Sequence, residues 1–416
     1  GDILGAGIYG LIGRAAGEMG NAVWLAFVAS MMAAGLTGLS YASLGSRFPK
    51  AGGSSYFVYK AFNMKMLSYV VGLVTLASGI TSMATSSRAF SGYLINMLNN
   101  AVSLELVVVL FALFIMSIVI RGIRESMWVN VVCTFIELFG LLLIIVTGAK
   151  FLGGVDYLSA VTQSNSTGDI SASLVLSGAV LTFFSFVGFE DMINVAEEVK
   201  EPEKNLPRAI LIAISVSSAV YVIISMIAVS VMPSTELAVS TAPLVDVASK
   251  TAPWFPSVGF GLIAVFAVAN TALLNFIMGS RLIYGMANQH LLPSFLGRIN
   301  KRTKTPVNAS LVLCALFLIL ALSGDISILA RSTSTLLLSC FLMVNLSLII
   351  LKIKKEKTGR FEVPMFVPVL GTLVCVTMLI HTRIEEIKVA GVLLVGIITL
   401  YFIVRPSSKD VEEMSS

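Results

Sequence analysis

Long stretches without a charged residue constrain this chain more than any other feature of its sequence. Residues 21–46, 209–232 and 257–280 contain no Asp, Glu, Lys or Arg, and a helix that crosses a bilayer needs about 20 mostly apolar residues. Of the 416 residues, 56% are hydrophobic and 12% are charged, whereas about 25% are charged in a soluble protein. These figures exclude an ordinary soluble enzyme, a disordered chain and a secreted disulfide scaffold, and they predict a polytopic helical membrane protein.

The apolar stretches divide the chain into twelve candidate membrane spans. Some are uncharged, and others contain a single charge, such as Glu137 in the fifth span. The predicted fold class is therefore all-α, with twelve transmembrane helices joined by short loops. The predicted spans cover residues 1–18, 21–47, 66–98, 105–121, 127–151, 171–198, 207–232, 257–288, 308–323, 327–352, 365–381 and 389–404.

Lys and Arg are distributed unevenly between alternate loops. Because cytoplasmic loops carry an excess of these residues, the loops that are rich in them are predicted to be cytoplasmic. Twelve spans then place both termini in the cytoplasm, and we predict a multi-pass protein of the cell membrane. The net charge of +5 comes from basic residues in these short loops at the surface of the lipid bilayer. It therefore does not indicate a nucleic-acid partner. The loops predicted to be outside hold only Arg14, Lys150, Lys250, Arg383 and Lys388.

The chain opens at Gly1 without a methionine or a basic leader. The first span has only about half of the residues that a crossing helix needs. We therefore expect the cytoplasmic part of the first helix to be missing from this sequence. The alternative is that a signal peptide has been removed.

Cysteine and histidine content argues against a metal site. All four cysteines fall in apolar stretches, which is typical of packing residues rather than of disulfides or metal ligands. The two histidines do not supply a histidine-rich site. We predict no metal and no organic cofactor, and a coupling proton is the one candidate that the sequence offers.

Residues 5–10 read GAGIYG and match the pattern GxGxxG. A dinucleotide site needs a preceding strand and an acidic residue about 20 positions later, and neither is present. Glycines in the middle of a span have another use, because they allow a helix to unwind beside a cavity or other protein. We predict such a break at Gly5 and Gly7, whereas Gly13 and Gly17 are interpreted as close-packing glycines.

A second interruption lies in the sixth span, where residues 183–191 read FFSFVGFED. Gly188 and two acids interrupt the aromatic run, and acids within a membrane are costly and usually functional. Paired interruptions in two halves of a chain point to an inverted-repeat transporter. Half-helix N-termini bind an anionic group there and freed carbonyls bind a cation, so a zwitterionic α-amino acid suits both.

Several motifs occur in an order that resembles the amino acid–polyamine–organocation (APC) transporter superfamily. The resemblance runs essentially from end to end and extends to the amino acid permeases of that superfamily. Its motifs are GAGI at 5–8, FPKAGGSSY at 48–56, FVGFE at 186–190, EEVKEP at 197–202 followed by LP at 206–207, TP at 305–306 and VP at 363–364.

The resemblance implies a core of ten helices in two inverted repeats of five. The core would cover residues 1–352, with repeats at roughly 1–151 and 171–352. Two additional helices would lie within 353–404, and residues 405–416 would form a cytoplasmic tail. The implied substrate site lies between helices one, three, six, eight and ten.

By position, the resemblance also implies a role for particular residues in substrate binding. The backbone N–H groups of Ala6 and Gly7, next to Gly5, would hold the substrate carboxylate. Phe184 would be an aromatic lid on the outer side, and Asn275 would face the substrate side chain. The substrate ammonium would be bound by the carbonyls of Ile3, Phe184, Ser185 and Val187.

Three acids have roles that the sequence leaves open. Glu137 stands where some relatives have a lysine, and it is either a proton carrier or a structural acid. Asp2 either approaches the ligand, where it would favour a cationic substrate, or lies in the wet inner vestibule. Glu190 resembles an acid common in the superfamily, and gating or helix anchoring is its expected role. Two cations within spans, Arg88 and Arg331, are expected either to pair with acids or to lie near the outer mouth, and pairing is the favoured alternative.

The function predicted from these features is secondary active transport of amino acids by alternating access, with proton symport through Glu137 as the first mechanism. An exchanger of amino acids or polyamines is the alternative, and a non-transporting amino-acid sensor on the same fold is a third reading. No enzymatic activity is predicted, because the sequence lacks clustered catalytic side chains. Ser185 and Asn275 suit a small or polar side chain, whereas Asp2 suits lysine, arginine or a polyamine. The residues leave both the particular amino acid or amine and the oligomeric state open.

Overall fold

A computed structural model describes residues 3–49, 53–98, 101–121, 123–161, 167–168, 170–288, 291–300, 302–356 and 358–404. Within these ranges the chain is helical apart from loops and one antiparallel pairing of β1 (Ala160–Val161) with β2 (Thr167–Gly168). The α-helices are α1 (Ala6–Met19), α2 (Val23–Arg47), α3 (Gly53–Phe62), α4 (Lys65–Met97), α5 (Leu104–Arg121), α6 (Ile123–Gly148), α7 (Ala172–Thr182), α8 (Pro202–Val231), α9 (Ser234–Val239), α10 (Pro243–Thr251), α11 (Ser257–Asn288), α12 (Val307–Ser323), α13 (Ile326–Ile353), α14 (Phe366–Ile380) and α15 (Ile384–Val404).

In the described part of the chain, nine helical stretches are long and apolar enough to cross a membrane. The first of them, Ala6–Arg47, contains both α1 and α2, which are joined by the 3₁₀ turn Gly20–Ala22. Two further apolar helices, α12 and α14, are shorter. The predicted all-helical architecture is confirmed, whereas the twelve spans, the inverted repeat and the domain boundaries stay predictions.

Apolar side chains fill the interior and also cover much of the outer surface. The long helix α4 packs against α11 and α13, and α2 packs against α8. Large side chains such as Trp128 and Phe135 on α6 and Ile403 on α15 are exposed. A soluble monomer rarely exposes large continuous apolar patches, so this perimeter is the surface that lipid covers.

Short helices in the loops are the main feature that the sequence did not predict. The helix α3 begins at Gly53, and α9 and α10 lie between the seventh and eighth predicted spans. Gly13 and Gly17 on α1 face α9 so closely that a Cβ on Gly17 would lie 2.6 Å from Ala238 Cβ. The interpretation of these two glycines as close-packing residues is confirmed.

Arg331 on α13 joins four helices at the end of the bundle predicted to face outward. Its guanidinium pairs with Glu18 on α1, lies 3.5 Å from the Glu386 carboxylate on α15, and donates to the Ser177 carbonyl on α7 at 2.7 Å. Arg383 adds a second contact to Glu18 at 2.9 Å. The side chain of Arg331 is 2% exposed, so the expectation that this cation pairs with acids is confirmed.

A second ionic cluster lies at the opposite end, around Glu362 in the loop between α13 and α14. Arg47 at the end of α2 binds both Glu362 carboxylate oxygens at 2.6 Å. Lys352 lies 3.0 Å from Oε2, and the Gly359 N–H donates to Oε1 at 2.9 Å. Burial raises the pKa of Glu362, but the hydrogen bonds from Arg47, Gly359 and Lys352 outweigh it and hold the pKa at about 2 instead of 4.5.

Replacing Glu362 by Gln is expected to destabilise the protein at neutral pH by about 2 kcal/mol, between the values for surface and buried ion pairs. The physical reason is that the guanidinium of Arg47, whose side chain is 2% exposed, loses its counter-charge. Because the folded pKa is depressed, this stabilisation is present above pH 4.5 and is lost as the pH falls toward about 2. Thermal midpoints of purified wild type and variant, measured from pH 7 to pH 2.5, should therefore converge at low pH. A difference that stays constant over this range would contradict the assignment.

Candidate substrate site

The helix α1 begins at Ala6, directly after the first predicted break. Gly5, the residue before it, has φ −78° and ψ −114° and makes no side-chain cap. N–H groups at the start of a helix lack intrahelical acceptors, and the Ala6 N–H donates instead to Thr271 Oγ1 on α11 at 3.2 Å. A helix start with this geometry favours a negatively charged group.

The sixth predicted span is interrupted, as expected. The helix α7 ends at Thr182, and the backbone continues as two 3₁₀ segments, Phe183–Phe186 and Glu190–Glu198. Gly188 between them has φ +114°, a conformation that residues with a Cβ rarely adopt. The second break is therefore confirmed within the described residues.

The two breaks touch each other. A Cβ atom at Gly7 would collide with Ser185 Cα and would lie 2.7 Å from Ser185 Oγ. Only glycine permits this approach of the two backbones. Ser185 is 1% exposed, and its hydroxyl has no hydrogen-bond partner in the part of the chain that the structure describes. The carboxylate-binding and ammonium-binding groups predicted from the sequence are thus brought together by direct contact.

Tyr221 on α8 links the two breaks through one hydroxyl group. The hydroxyl donates to the Ile3 carbonyl in the first break and lies 2.9 Å from the Ser185 carbonyl in the second. A phenol has a single proton, so the two carbonyls share it. The ring packs against two phenylalanines, Phe27 at 5.7 Å and Phe186 at 5.3 Å between centroids.

Replacing Tyr221 by Phe should slow substrate transport about fivefold, because the variant keeps the ring but loses a hydrogen bond of about 1 kcal/mol that ties the breaks together. The thermal midpoint should change little, since ring packing is retained. Tyr69→Phe is the matched control, because the Tyr69 hydroxyl donates to the Leu291 carbonyl at 3.1 Å, away from the breaks. Equal initial rates for the two variants would remove Tyr221 from the site.

The helix α11 contributes two polar residues one turn apart. Thr271 accepts the Ala6 N–H, and Asn275 Nδ2 donates to the Thr271 carbonyl at 3.0 Å. Asn275 is 6% exposed, and its Oδ1 lies 3.3 Å from the position that a Cβ on Gly79 of α4 would take. Asn275 therefore lies between the first break and α4.

Glu137 lies on α6 and is fully buried. Its backbone carbonyl accepts a hydrogen bond from the Tyr9 hydroxyl on α1 at 2.8 Å, and the Tyr93 hydroxyl on α4 donates to the Tyr9 carbonyl at 2.5 Å. These contacts place Glu137 one turn of α1 beyond the first break. They do not decide between its two predicted roles.

The remaining predicted residues lie around the second break. The Glu190 carboxylate is 5% exposed and accepts the Gly188 N–H at 3.0 Å, so it stabilises the irregular backbone. The Phe184 carbonyl accepts the Val187 N–H at 3.2 Å, and both side chains are buried. Asp2 lies outside the described residues.

Comparison with known proteins identifies the family. The sequence profile of the amino acid permease family matches residues 1–404. The chain belongs to the amino acid permease family. The resemblance to the APC superfamily is confirmed, and the names of the family and its members are those of permeases and transporters rather than enzymes. Together with the apolar helices, they identify a multi-pass membrane protein.

Relatives of this permease differ in the substrates that their names give. The cationic amino acid transporter 3, mitochondrial, of Arabidopsis thaliana is 28% identical over 85% of the chain, and the chain spans 60% of that relative. The branched-chain amino acid permease BcaP of Bacillus subtilis is 24% identical, with coverage of 98% of the chain and 91% of the relative. The inner membrane transport protein YbaT of Escherichia coli is 27% identical over 91% of the chain and 86% of its own length.

Sequence reasoning missed Tyr221 and Thr271. Both lie within long apolar spans of the permease, where a single polar side chain has no motif around it. The one available signal was that a buried tyrosine hydroxyl needs a hydrogen-bond partner. The sequence does not identify that partner, because it lies 218 residues away in the chain.

Proposed function

We propose that this permease is a secondary active transporter that moves amino acids across the cell membrane by alternating access. In this proposal twelve helices span the membrane, the first ten form two inverted repeats at roughly 1–151 and 171–352, and both termini lie in the cytoplasm. The contact between the two helix breaks, at Gly7 and Ser185, carries the proposal. This contact brings the positive end of a helix dipole, which suits a carboxylate, next to carbonyls without helical partners, which suit an ammonium group. A zwitterionic substrate carries both groups.

The substrate carboxylate is bound by the N–H groups of Ala6 and Gly7. The Ala6 N–H donates to Thr271 Oγ1, and we expect the carboxylate to replace this hydroxyl as its acceptor, since an ionised acceptor forms the stronger hydrogen bond. The ammonium group is bound by the carbonyls of Ile3, Phe184, Ser185 and Val187. A carbonyl has two lone pairs, so those that already accept a hydrogen bond retain one for the substrate.

Alternation requires that each end of the bundle opens while the other is closed. The Arg331–Glu18 cluster joins α1, α7, α13 and α15 at one end, and the Arg47–Glu362 cluster joins α2 to the loop before α14 at the other. In this proposal the ion pairs of one cluster break while those of the other remain formed, so that one end of the bundle opens at a time.

Coupling to a proton is the first mechanism, with Glu137 as the carrier, because a buried carboxyl within a membrane protein is suited to that role. Exchange of amino acids or polyamines is the second. A sensor that binds amino acid without net transport is the third. The cationic and branched-chain names of the relatives support amino acids as the substrate class without selecting one.

The test uses purified protein in liposomes and a labelled mixture of amino acids. Initial uptake is measured with and without an inward proton gradient, and with and without unlabelled amino acids inside. Protein-free liposomes and a proton ionophore are the controls. Accumulation that the gradient stimulates and the ionophore abolishes is the expected result for a symporter.

Other outcomes separate the alternatives. Uptake only into preloaded liposomes identifies an exchanger. Binding of amino acids without uptake under either condition identifies a sensor. Neither binding nor uptake of any amino acid in the mixture overturns the proposal.

A further inference from the structure

Two serines on α4 differ from every other hydroxyl residue of that helix. Ser82 and Ser86 are fully buried, and neither hydroxyl has a hydrogen-bond partner among the described residues. The other hydroxyls of α4 donate to backbone carbonyls, as serines and threonines within helices commonly do. Those residues are Ser68, Tyr69, Thr75, Ser78, Thr81, Thr85, Ser87, Ser91 and Tyr93.

The missing hydrogen bonds require an explanation, because a buried polar group without a partner is costly. The two serines are four residues apart, so their side chains lie on the same face of α4, about 6 Å from each other. Two hydroxyls on the same face of a helix are placed so that both can form hydrogen bonds with one ligand.

Contacts on either side of the pair show which residues lie near this face of α4. Gly79 lies three residues before Ser82, and a Cβ atom added to Gly79 would lie 3.3 Å from Asn275 Oδ1. Ala89 lies three residues after Ser86, and its Cβ would be 2.9 Å from a Cβ atom added to Gly10 of α1. Asn275 is one turn from Thr271, the acceptor of the Ala6 N–H. Ser82 and Ser86 are therefore bracketed by neighbours of the first break.

The charge of this face limits the ligand chemistry. Residues 66–87 contain no Asp, Glu, Lys or Arg, so α4 offers no counter-charge over this length. A serine hydroxyl both donates and accepts hydrogen bonds, and Asn275 adds an amide with the same capacity. Neutral groups that also donate and accept, namely hydroxyls and carboxamides, match this set.

We propose that Ser82 and Ser86 bind the side chain of the transported amino acid, and that the permease selects neutral substrates with a hydroxyl or carboxamide over apolar substrates of the same shape. This proposal rests on the proposed transport function. It assigns side-chain recognition to α4, while the backbone groups of the two breaks bind the part common to all α-amino acids.

Threonine and valine give the sharpest comparison, because they differ by a hydroxyl in place of a methyl group. A site built to hydrogen-bond a substrate hydroxyl rejects the analogue that lacks it. We expect wild type to take up threonine at least about tenfold more efficiently than valine, measured as the initial rate per substrate concentration in liposomes. The ratio should fall to near one in the double variant Ser82→Ala, Ser86→Ala, with valine uptake retained.

Ser87→Ala is the matched control, because Ser87 is equally buried on the same helix but donates to the Ala84 carbonyl at 2.9 Å. It should keep the wild-type ratio. The thermal midpoint of the double variant should be no lower than that of wild type, since the two hydroxyls make no hydrogen bond with any residue that the structure describes. This measurement separates a change in selectivity from a failure to fold.

The proposal is overturned by a wild-type preference for valine or for lysine, or by an unchanged ratio in the double variant. A second measurement, the shift of the thermal midpoint by added threonine or valine, distinguishes its failure from that of the transport function. One outcome is that no amino acid is taken up, that threonine but not valine raises the midpoint, and that the double variant loses this effect. The proposed transport function is then wrong, whereas the assignment of Ser82 and Ser86 to side-chain binding is supported. If neither amino acid raises it and none is taken up, both proposals fail.

Discussion

Replacing Phe184 by Ala is expected to lower amino acid uptake at least about tenfold. Removal of a buried phenylalanine contact costs about 1.5–3 kcal/mol of binding free energy, and each 1.4 kcal/mol is a factor of ten. Phe184 is 3% exposed in the second break. Its neighbours Phe183, Phe186 and Phe189 each pack against another aromatic ring, whereas Phe184 has no aromatic partner among the described residues. This difference supports a ring that is available to the substrate.

The measurement is initial uptake in liposomes that contain equal amounts of wild type and variant. Phe114→Ala on α5 is the control, because it removes the same side chain at a position that is 59% exposed on the lipid-facing surface. The control should transport at the wild-type rate. Wild-type flux in the Phe184 variant would exclude Phe184 from the substrate site, and the assignment of its neighbours would then need revision.

Replacing Glu137 by Gln should abolish the stimulation of uptake by an inward proton gradient. Gln has nearly the same shape but does not bind and release a proton in this pH range. Glu137 is fully buried, and its backbone carbonyl is tied to α1 through the Tyr9 hydroxyl at 2.8 Å. A change in its protonation is therefore adjacent to the helix that begins at the first break. Uptake driven by an amino acid gradient at equal pH should remain.

The uptake ratio with and without the gradient is the quantity to measure, because it is independent of how much protein is active. Glu105→Gln is the matched control, since Glu105 is an exposed acid in the first turn of α5. It should keep the wild-type ratio. If the Glu137 variant also keeps it, the proton is carried by another group and Glu137 is a structural acid.

Several features of the fold followed from local sequence alone. The spans were predictable because a bilayer leaves one solution for an apolar stretch of this length, a helix with internal backbone hydrogen bonds. The second break was predictable because Gly188 and two acids interrupt an apolar segment, and the structure gives Gly188 a φ of +114°. For the same reason the glycines at 5 and 7 predicted a break there, and the structure shows that α1 begins at Ala6.

The short helices α3, α9 and α10 did not follow from local sequence. Each has ten residues or fewer, which is too short for a hydrophobic period to stand out from a polar loop. Contacts with the long helices hold them in place, as between α9 and the small residues of α1. Their position depends on packing against elements that are distant in the sequence.

The candidate site was predictable in its backbone and not in its side chains. The sequence marked the residues at which helical hydrogen bonding fails, because glycine has a local effect on the chain. Polar groups that meet there lie on α8 and α11. The Tyr221 bridge and the Ala6 to Thr271 hydrogen bond each join residues that are far apart in the chain.

The sequence by itself determined that this chain is helical, that it lies in a membrane, and at which glycines its helical backbone begins or is interrupted. Hydropathy and glycine act over a few residues, so their consequences can be predicted locally. Only the tertiary structure decided which side chains surround the interruptions. A hydrogen bond depends on the distance and direction between two groups, and the packing of the helices sets both.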